Sequence, residues 1–414
     1  MADGGGGGRR RRIAVLLLGL AAAAPAARAA PEEPAAAPAL PAPRFVGPRL
    51  PGKERDDAWK RLGGTSEAAK AIEAGLDWLE RHALPDGGWD ADGFAARCAA
   101  EGTPCRGIGK GHHGEDAPCP FDDALSAFAA LALLGNGHLP DPVGDARAKL
   151  LEKTLRRLRG AGDPWAAALA TEAFAEAESL ERKRRWADAA VGGAKRLLAA
   201  RGEDGAWGYI ASFRKGSDVP YTGFVATALV AARDAGAELP KDLGEGVDRW
   251  LNTLEEKDGK LAYLLDGRSY GYTPTTYNAF AAASIREVLR AGLSGPRHRT
   301  HLAFARARPP KWEISFREVD VPGRGRMKVQ MGNLSEMDWW NGSVALFQRG
   351  GGEWTSWYAA ARSALVGHQQ KGGCARGSWD PEGLYEREVG GRILSTALAV
   401  LILEQPIRHR RLAE

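Results

Sequence analysis

Apolar residues recur at helical spacing along most of the chain. Ile72, Leu76 and Leu79 lie four and three residues apart, and similar spacing precedes residues 204 and 258. Such steps place the apolar side chains on one face of a helix, which packs against a core. The spacing predicts an all-α chain with helices at 65–83, 121–136, 144–159, 164–179, 184–201, 221–236, 244–256, 275–292, 337–348, 354–369 and 391–404.

A short turn with the pattern Asp-Gly-x-Trp follows several of these helices. It spans residues 86–89 and 204–207, with weaker copies at 258–263 and 377–380. Such repetition is typical of folds in which helix pairs stack, because one pair cannot bury its apolar face alone. We expect the tryptophans to be buried between helices, the aspartates to cap the helices that follow, and the glycines to adopt positive φ. The repetition predicts roughly six helix pairs.

Residues 311–331 depart from the helical pattern. Apolar and polar residues alternate through Trp312, Ile314 and Phe316, and alternate again at 327–331. Between the two runs, the sequence Pro-Gly-Arg-Gly at 322–325 favours a turn. Alternation on both sides of a turn predicts a small β-hairpin inserted between two helices, and an extended loop is the alternative.

The first 29 residues have the features of a secretory signal peptide. Four arginines at 9–12 precede an apolar stretch at 13–24, and residues 27–29 read Ala-Arg-Ala, a small-x-small cleavage site. The apolar stretch is shorter than the roughly 20 residues that span a bilayer. We therefore expect a secreted or periplasmic protein, which would be associated with a membrane only if the leader stays uncleaved.

The segment that follows, 30–55, is rich in proline and alanine and is predicted to be a linker, while the folded domain is predicted at 56–408. The first 29 residues carry five arginines and one aspartate, and so account for most of the net charge of +5. Basic runs at 156–159 and 182–185 are expected to be solvated helix faces. Without a clustered basic surface, no nucleic-acid partner is predicted.

Tryptophan- and glycine-containing motifs in the carboxyl-terminal part resemble those of a known superfamily. The matching residues are Trp339, Trp340, 345–351, Trp354, Trp357, Gln369, 377–381, 390–392 and 396–401. They resemble the terpenoid cyclase and protein prenyltransferase superfamily, in particular a bacterial secreted subgroup of squalene-cyclase-like proteins with prenyltransferase and squalene oxidase repeats. The resemblance covers most of residues 65–404. It implies an α/α toroid, a closed ring of inner and outer helices around a central cavity in which that fold places its chemistry.

Adjacent carboxylates at Asp122 and Asp123 are the candidate catalytic residues. Cyclases of the resembling superfamily that protonate an alkene use Asp-x-Asp-Asp, whose central carboxyl is a strong general acid. Here Pro120 occupies the position of the first aspartate. The pair also precedes an apolar helix, where carboxylates commonly stabilise the amino terminus. Catalysis and helix capping are the two alternatives.

Four cysteines, Cys98, Cys105, Cys119 and Cys374, are the candidate disulfide residues. Export favours oxidation, so we expect at least one disulfide among the first three, and Cys374 can bridge the first and last repeats. A zinc site is an alternative, because the histidine pair at 112–113 completes a ligand set of suitable residue types. The spacing matches no standard zinc motif, and free thiols are the third alternative. No metal or cofactor is assigned.

Six aromatic residues are candidates for lining the central cavity: Tyr221, Tyr270, Tyr272, Tyr277, Trp339 and Trp340. Such a lining suits a hydrophobic or glycan ligand, and ordinary packing between helices is the alternative. Because no catalytic motif is intact, the sequence favours an exported binding or interaction module. The alternative is an enzyme that acts in the central cavity, either a terpenoid-type cyclase or a toroidal lyase.

Overall fold

The computed structural model describes residues 42–98, 104–107, 109, 121–209, 216–254, 261, 264–265, 268–269, 275–321, 325–331 and 334–413. Helices dominate this part of the chain. They are α1 (Lys53–Arg61), α2 (Ser66–Arg81), α3 (Asp122–Gly135), α4 (Ala146–Leu158), α5 (Pro164–Glu181), α6 (Ala187–Ala199), α7 (Val219–Asp234), α8 (Leu243–Thr253), α9 (Thr275–Leu289), α10 (Pro296–Arg306), α11 (Glu336–Arg349), α12 (Gly351–His368), α13 (Leu384–Glu388), α14 (Gly391–Leu403) and α15 (Gln405–Arg408).

Six of these helices form a closed inner ring. In chain order α3, α5, α7, α9, α11 and α14 each contact the next, and α14 contacts α3. An outer helix precedes each of them: α2, α4, α6, α8, α10 and α12. The inner helices therefore begin at one face of the ring, the amino face, and end at the opposite, carboxyl face. This arrangement confirms the predicted α/α toroid of six helix pairs, and contacts of α2 with α12 and α14 join the first pair to the last.

The apolar spacing does not predict α10. Two of its buried residues are His298 and His301, which are almost fully inaccessible to solvent. His298 Nε2 lies 2.8 Å from Glu287 Oε1, and His301 Nδ1 lies 2.7 Å from Arg286 Nη1, both on α9. Because polar residues with specific partners occupy the buried face of α10, a search for regularly spaced apolar residues does not detect this helix.

The repeated turn makes the same hydrogen bonds in three copies. In each copy the tryptophan indole N–H donates to a carbonyl of the preceding outer helix, and its backbone N–H donates to a hydroxyl of the following inner helix. The three sets are Trp89 with Leu79 and Ser126, Trp207 with Leu197 and Thr222, and Trp379 with Leu365 and Thr396. All three tryptophans are at most 1% exposed, which confirms that they are buried between helices.

The aspartates of the first two turns stabilise their own turns, which corrects the expectation that they cap the next helix. Asp86 Oδ1 accepts from the N–H of Gly88 at 3.1 Å, and Asp204 accepts in the same way from two residues further on. The cap of α7 is a later residue, Asp218. Gly87 has a φ of 90°, as expected for a glycine in this turn.

The predicted β-hairpin is present between α10 and α11. Its strands, β3 (Ser315–Val321) and β4 (Gly325–Met331), are antiparallel and pair Ser315 with Met331. A second, minimal pair lies between α8 and α9, where β1 (Leu264–Leu265) is antiparallel to β2 (Arg268–Ser269). Both pairs join an outer helix to an inner one, so both lie on the amino-face side of the ring.

Residues 42–50 lie within the segment predicted as a linker, yet they are packed into the folded body. Phe45 and Val46 are buried, and Val46 forms a β-bridge with His409 beyond α15. The fully buried Arg49 donates to both carboxylate oxygens of Glu176, at 2.6 and 2.7 Å. This segment and α15 cover the carboxyl face. Within the described residues, no helix has the length and apolarity needed to cross a bilayer.

Candidate functional site

Aromatic side chains from alternate inner helices meet inside the ring. Phe128 of α3 packs edge-on against Phe224 of α7, with ring centroids 5.6 Å apart, and Phe224 stacks on Trp340 of α11 at 4.7 Å. Trp165 of α5 also contacts Phe224, at 5.2 Å. Since α3, α7 and α11 are not neighbours in the ring, these contacts cross its interior. The candidate cavity residue Trp340 therefore helps to fill the centre of the ring.

A small apolar cavity lies at the amino-face end of this aromatic cluster. Its lining residues are Phe121, Ala124, Leu125, Phe128, Trp165, Met337, Val389 and Leu394, and its volume is about 20 Å³. A single water needs roughly 10–15 Å³ on such a measure. Small-molecule sites usually offer about 300–1,000 Å³. Within the described residues, this cavity is thus too small to hold a terpenoid or a sugar.

The other candidate aromatic residues have separate positions. Tyr221 is buried in α7, and its hydroxyl donates to the carbonyl of Pro164 at 3.0 Å. Trp339 is also buried and contacts the ring of Trp312, with centroids 6.0 Å apart. These two residues contribute to packing between helices. Tyr270 and Tyr272 lie outside the described residues, as does the side chain of Tyr277.

Asp122 and Asp123 begin α3 at the amino face, but they face different neighbours. Asp122 Oδ1 accepts from the N–H of Ala91 at 3.0 Å, and burial, reinforced by the nearby Asp90, raises the pKa of Asp122 to about 6. Asp123 forms an ion pair with Arg157 of the outer helix α4 at 3.0 Å. One carboxylate thus holds a loop and the other holds an outer helix, and the two do not converge on a common point.

A buried carboxyl pair, Glu336 and Glu386, lies between α11 and α13 at the same face. Both side chains are fully buried, and Glu386 Oε1 accepts from the N–H of Met337 at 2.9 Å. Burial raises the pKa of both carboxyls, and the proximity of Glu386 raises that of Glu336 further. Burial and Glu386 also raise the pKa of Asp338. These groups retain protons to higher pH than exposed carboxyls do.

Three cysteines converge where the first helix pair meets the last, a contact called the seam below. Their sulfur atoms surround His82, at the carboxyl end of α2, and its Nε2 lies 3.6 Å from Cys98, 3.7 Å from Cys105 and 3.4 Å from Cys374. None of the disulfides expected among these three residues is formed. Cys119 and the histidine pair at 112–113 lie outside the described residues.

No protein-family model and no curated protein matches this chain, whereas several solved structures do. A type II terpene cyclase from Scytonema, in complex with geranylgeranyl dihydroxybenzoate, has a TM-score of 0.50 and 14% identity over 84% of this chain and 99% of its own. An inactive variant of an α-1,6-mannanase from Salegentibacter, in complex with α-1,6-mannotriose, has a TM-score of 0.52 and 12% identity over 82% of this chain and 99% of its own. A family 76 glycoside hydrolase from a bovine Bacteroides thetaiotaomicron strain has a TM-score of 0.51 and 10% identity over 83% of this chain and 78% of its own.

The protein is an α/α toroid. At these identities the similarity shows the fold alone, which a terpene cyclase and glycoside hydrolases share. Two groups of the toroid are missing from the sequence-based candidates. His82 follows a helix shortly before the first Asp-Gly-x-Trp turn, and Glu336 and Glu386 are 50 residues apart in the chain. Only the position of His82, next to a turn that recurs near Cys374, offers a sequence signal.

Proposed function

We propose that this toroid is an exported binding module, in which the ring is a rigid scaffold and the loops and helix ends of the amino face contact the ligand. The filled ring centre carries this proposal. Phe128, Phe224 and Trp340 occupy the interior, where an enzyme of this architecture would need a substrate cavity. Ligand-binding residues are then expected on the surface that the outer-to-inner connections form, since loops on a rigid scaffold commonly carry binding.

The chemistry of the amino face favours a glycan as the ligand. Tyr209 is half-buried beside Trp165, with ring centroids 5.7 Å apart, and Phe121 is half-buried at the start of α3. Asp122 and Asp123 adjoin Phe121 in the chain, so aromatic surface and hydrogen-bond acceptors occur together. Apolar surface with a few placed polar groups suits a sugar, which has both C–H faces and hydroxyl groups. The similar mannanase variant holds α-1,6-mannotriose, which makes manno-oligosaccharides the first ligands to test.

A second candidate function is glycoside hydrolysis by Asp122 and Asp123. The observation in its favour is the raised pKa of Asp122, since a glycosidase needs one carboxylic acid that is protonated near neutral pH. The ion pair between Asp123 and Arg157 opposes it, because it holds the second carboxylate towards an outer helix. Terpenoid cyclisation has less support, since Pro120 replaces the first aspartate of the motif.

Titration calorimetry and product analysis with α-1,6-manno-oligosaccharides test these functions together. A binding module should bind an oligosaccharide without releasing shorter products, and Asp122→Asn should still bind. Tyr209→Ala and Phe121→Ala should weaken binding about tenfold or more, as loss of stacking on a ligand does. Trp59→Ala, at a half-buried aromatic residue in α1, is the control and should bind like the unmodified protein.

Two results would contradict the proposal. Hydrolysis that both Asp122→Asn and Asp123→Asn abolish would establish the glycosidase instead. If the unmodified protein bound every oligosaccharide no more tightly than the Tyr209→Ala and Phe121→Ala variants do, the amino face would not be the glycan-binding surface.

A further inference from the structure

The geometry at the seam points to a bound metal ion. His82 Nε2 is within 3.7 Å of the sulfur atoms of Cys98, Cys105 and Cys374. All four donor atoms lie within 4.8 Å of one another. Three elements of the chain supply them: the end of α2, the segment that follows the first tryptophan turn, and the turn after α12. Convergence of four metal-ligating atoms from such distant positions is a specific arrangement.

One hydrogen bond to His82 Nε2 does not account for all three sulfur contacts to that nitrogen. His82 Nδ1 lies 2.9 Å from the carbonyl oxygen of Trp78, and a carbonyl oxygen only accepts, so Nδ1 carries the hydrogen. The lone pair of the neutral ring is therefore on Nε2, and it can accept one S–H. Three sulfur atoms nevertheless surround that nitrogen at nearly equal distances. A cation at the centre, shared by all four donors, accounts for the equal spacing.

The distances match tetrahedral coordination of zinc. With Zn–S near 2.3 Å and Zn–N near 2.0–2.1 Å, tetrahedral angles place sulfur and nitrogen roughly 3.6 Å apart. The three measured separations are 3.4, 3.6 and 3.7 Å. Two thiolates on the same zinc ion are about 3.8 Å apart, within the observed limit of 4.8 Å. A disulfide would need sulfur atoms about 2.05 Å apart.

Surrounding groups hold the donors in the orientation that a metal needs. The hydrogen bond from His82 Nδ1 to Trp78 fixes the ring, as in most histidine–metal sites. The backbone N–H of Cys105 points at Cys98 Sγ, 3.2 Å away. Arg392 of α14 donates to the carbonyl of Arg106 at 2.6 Å and so holds the residue after Cys105. The positive charge of Arg392 also suits the site, because three thiolates around a dication carry a net negative charge.

We propose that His82, Cys98, Cys105 and Cys374 bind one zinc ion, which links the first helix pair of the ring to the last. Four protein donors leave no open position, which is typical of structural zinc sites, and three soft thiolates favour zinc over magnesium or calcium. Binding converts the cysteine thiols to thiolates and releases their protons. This inference is independent of the glycan-binding proposal, because the ligands lie at the seam and their predicted role is closure of the ring.

The first experiment measures metal in the purified full chain by plasma mass spectrometry, with peptide mapping of the cysteines in parallel. We expect one zinc per chain and no disulfide among Cys98, Cys105 and Cys374. Replacement by cobalt(II) should give the intense visible bands of a tetrahedral thiolate site. A folded protein with less than about 0.2 zinc per chain, a disulfide among these residues, or an octahedral cobalt spectrum would overturn the proposal.

Variants then test the donor set. His82→Ala and Cys374→Ser should each reduce bound zinc at least tenfold, since removal of a ligand leaves an incomplete site. His138→Ala, at a half-buried histidine after α3, is the matched control and should retain one zinc. Unchanged zinc content in both ligand variants would refute the assignment.

A measurement on the unmodified chain covers the case in which the variants do not fold. Removal of zinc by a chelator should lower the melting temperature by about 5 °C or more, and added zinc should restore it, because a ligand that binds only the folded state stabilises it. A melting temperature that does not respond to loss of the metal would contradict the proposed link across the seam.

Discussion

His82 Nε2 lies 3.4 Å from Cys374 Sγ, although 292 positions separate the two residues in the chain. The contact exists because the ring closes, which brings the end of α2 next to the turn after α12. The carboxyl face has a similar contact, where Arg49 Nη1 lies 2.6 Å from Glu176 Oε2. Polar contacts between distant parts of the chain thus occur at both faces of the toroid, in addition to apolar packing between helices.

Trp207→Ala should lower the free energy of unfolding by about 3–5 kcal/mol, because it removes a fully buried aromatic side chain and leaves a cavity. It also removes the indole hydrogen bond to Leu197. Chemical denaturation followed by circular dichroism measures the change. The control is Ile314→Ala, at a side chain that is 40% exposed, which should stay within about 0.5 kcal/mol. A loss below about 1 kcal/mol for Trp207→Ala would contradict its role in packing.

Arg49→Met should destabilise the protein by about 3–5 kcal/mol, because it leaves the buried carboxylate of Glu176 short of one of its two arginine partners. The same denaturation experiment measures it. Lys53→Met, which removes an exposed ion pair with Asp57, is the control and should cause no measurable change. Equal stability of Arg49→Met and the unmodified protein would mean that residues 42–50 act as a spacer.

Glu336→Gln should weaken the pH dependence of stability above about pH 5. The pKa of Glu336 is raised well above its ordinary value by burial and by Glu386, so the folded state keeps a proton that the unfolded chain loses near pH 4.5. The stability that this proton contributes is therefore fully present at low pH and is lost as pH rises, by up to about 1.4 kcal/mol per pH unit for one proton. The variant has no such proton, so its stability relative to the unmodified protein should increase with pH.

Denaturation midpoints measured from about pH 5 to about pH 8 test this effect. Glu67→Gln is the control, because the pKa of that exposed carboxyl is lowered by its own backbone N–H and by Ser66. Glu67 is ionised in both states over this range and should not change the slope. Parallel pH profiles of Glu336→Gln and the unmodified protein would show that Glu336 does not take up a proton on folding.

Export should remove the leader at residue 29. Expression of the full chain in a Gram-negative host, followed by intact-mass analysis of the periplasmic fraction, should give a species that begins at Ala30. Substitution of lysine for all four arginines at 9–12 tests whether the twin-arginine route is used, since that route recognises paired arginines. Recovery of the full-length chain in the membrane fraction would instead identify an uncleaved anchor.

The sequence alone determined the features that depend on neighbouring residues. Apolar spacing placed most helices within a few residues of their observed ends, because an amphipathic helix is defined by side chains three and four positions apart. The repeated turn identified Trp89 and Trp207 as buried, since its glycine, aspartate and tryptophan act within one turn and the two helices it joins. Alternation around 322–325 identified the hairpin in the same way.

Tertiary structure decided the features that depend on contacts across the ring. His82 is an ordinary residue at the end of a helix until closure brings Cys374 to it. In the sequence, Arg49 is one residue of a proline- and alanine-rich stretch, and only the folded structure shows its buried partner, Glu176. The aromatic candidate Trp340 could have lined a cavity or filled it, and only its stacking on Phe224 shows that it fills the interior. Such pairings are set by how six helix pairs meet in space, and local spacing along a single chain does not encode them.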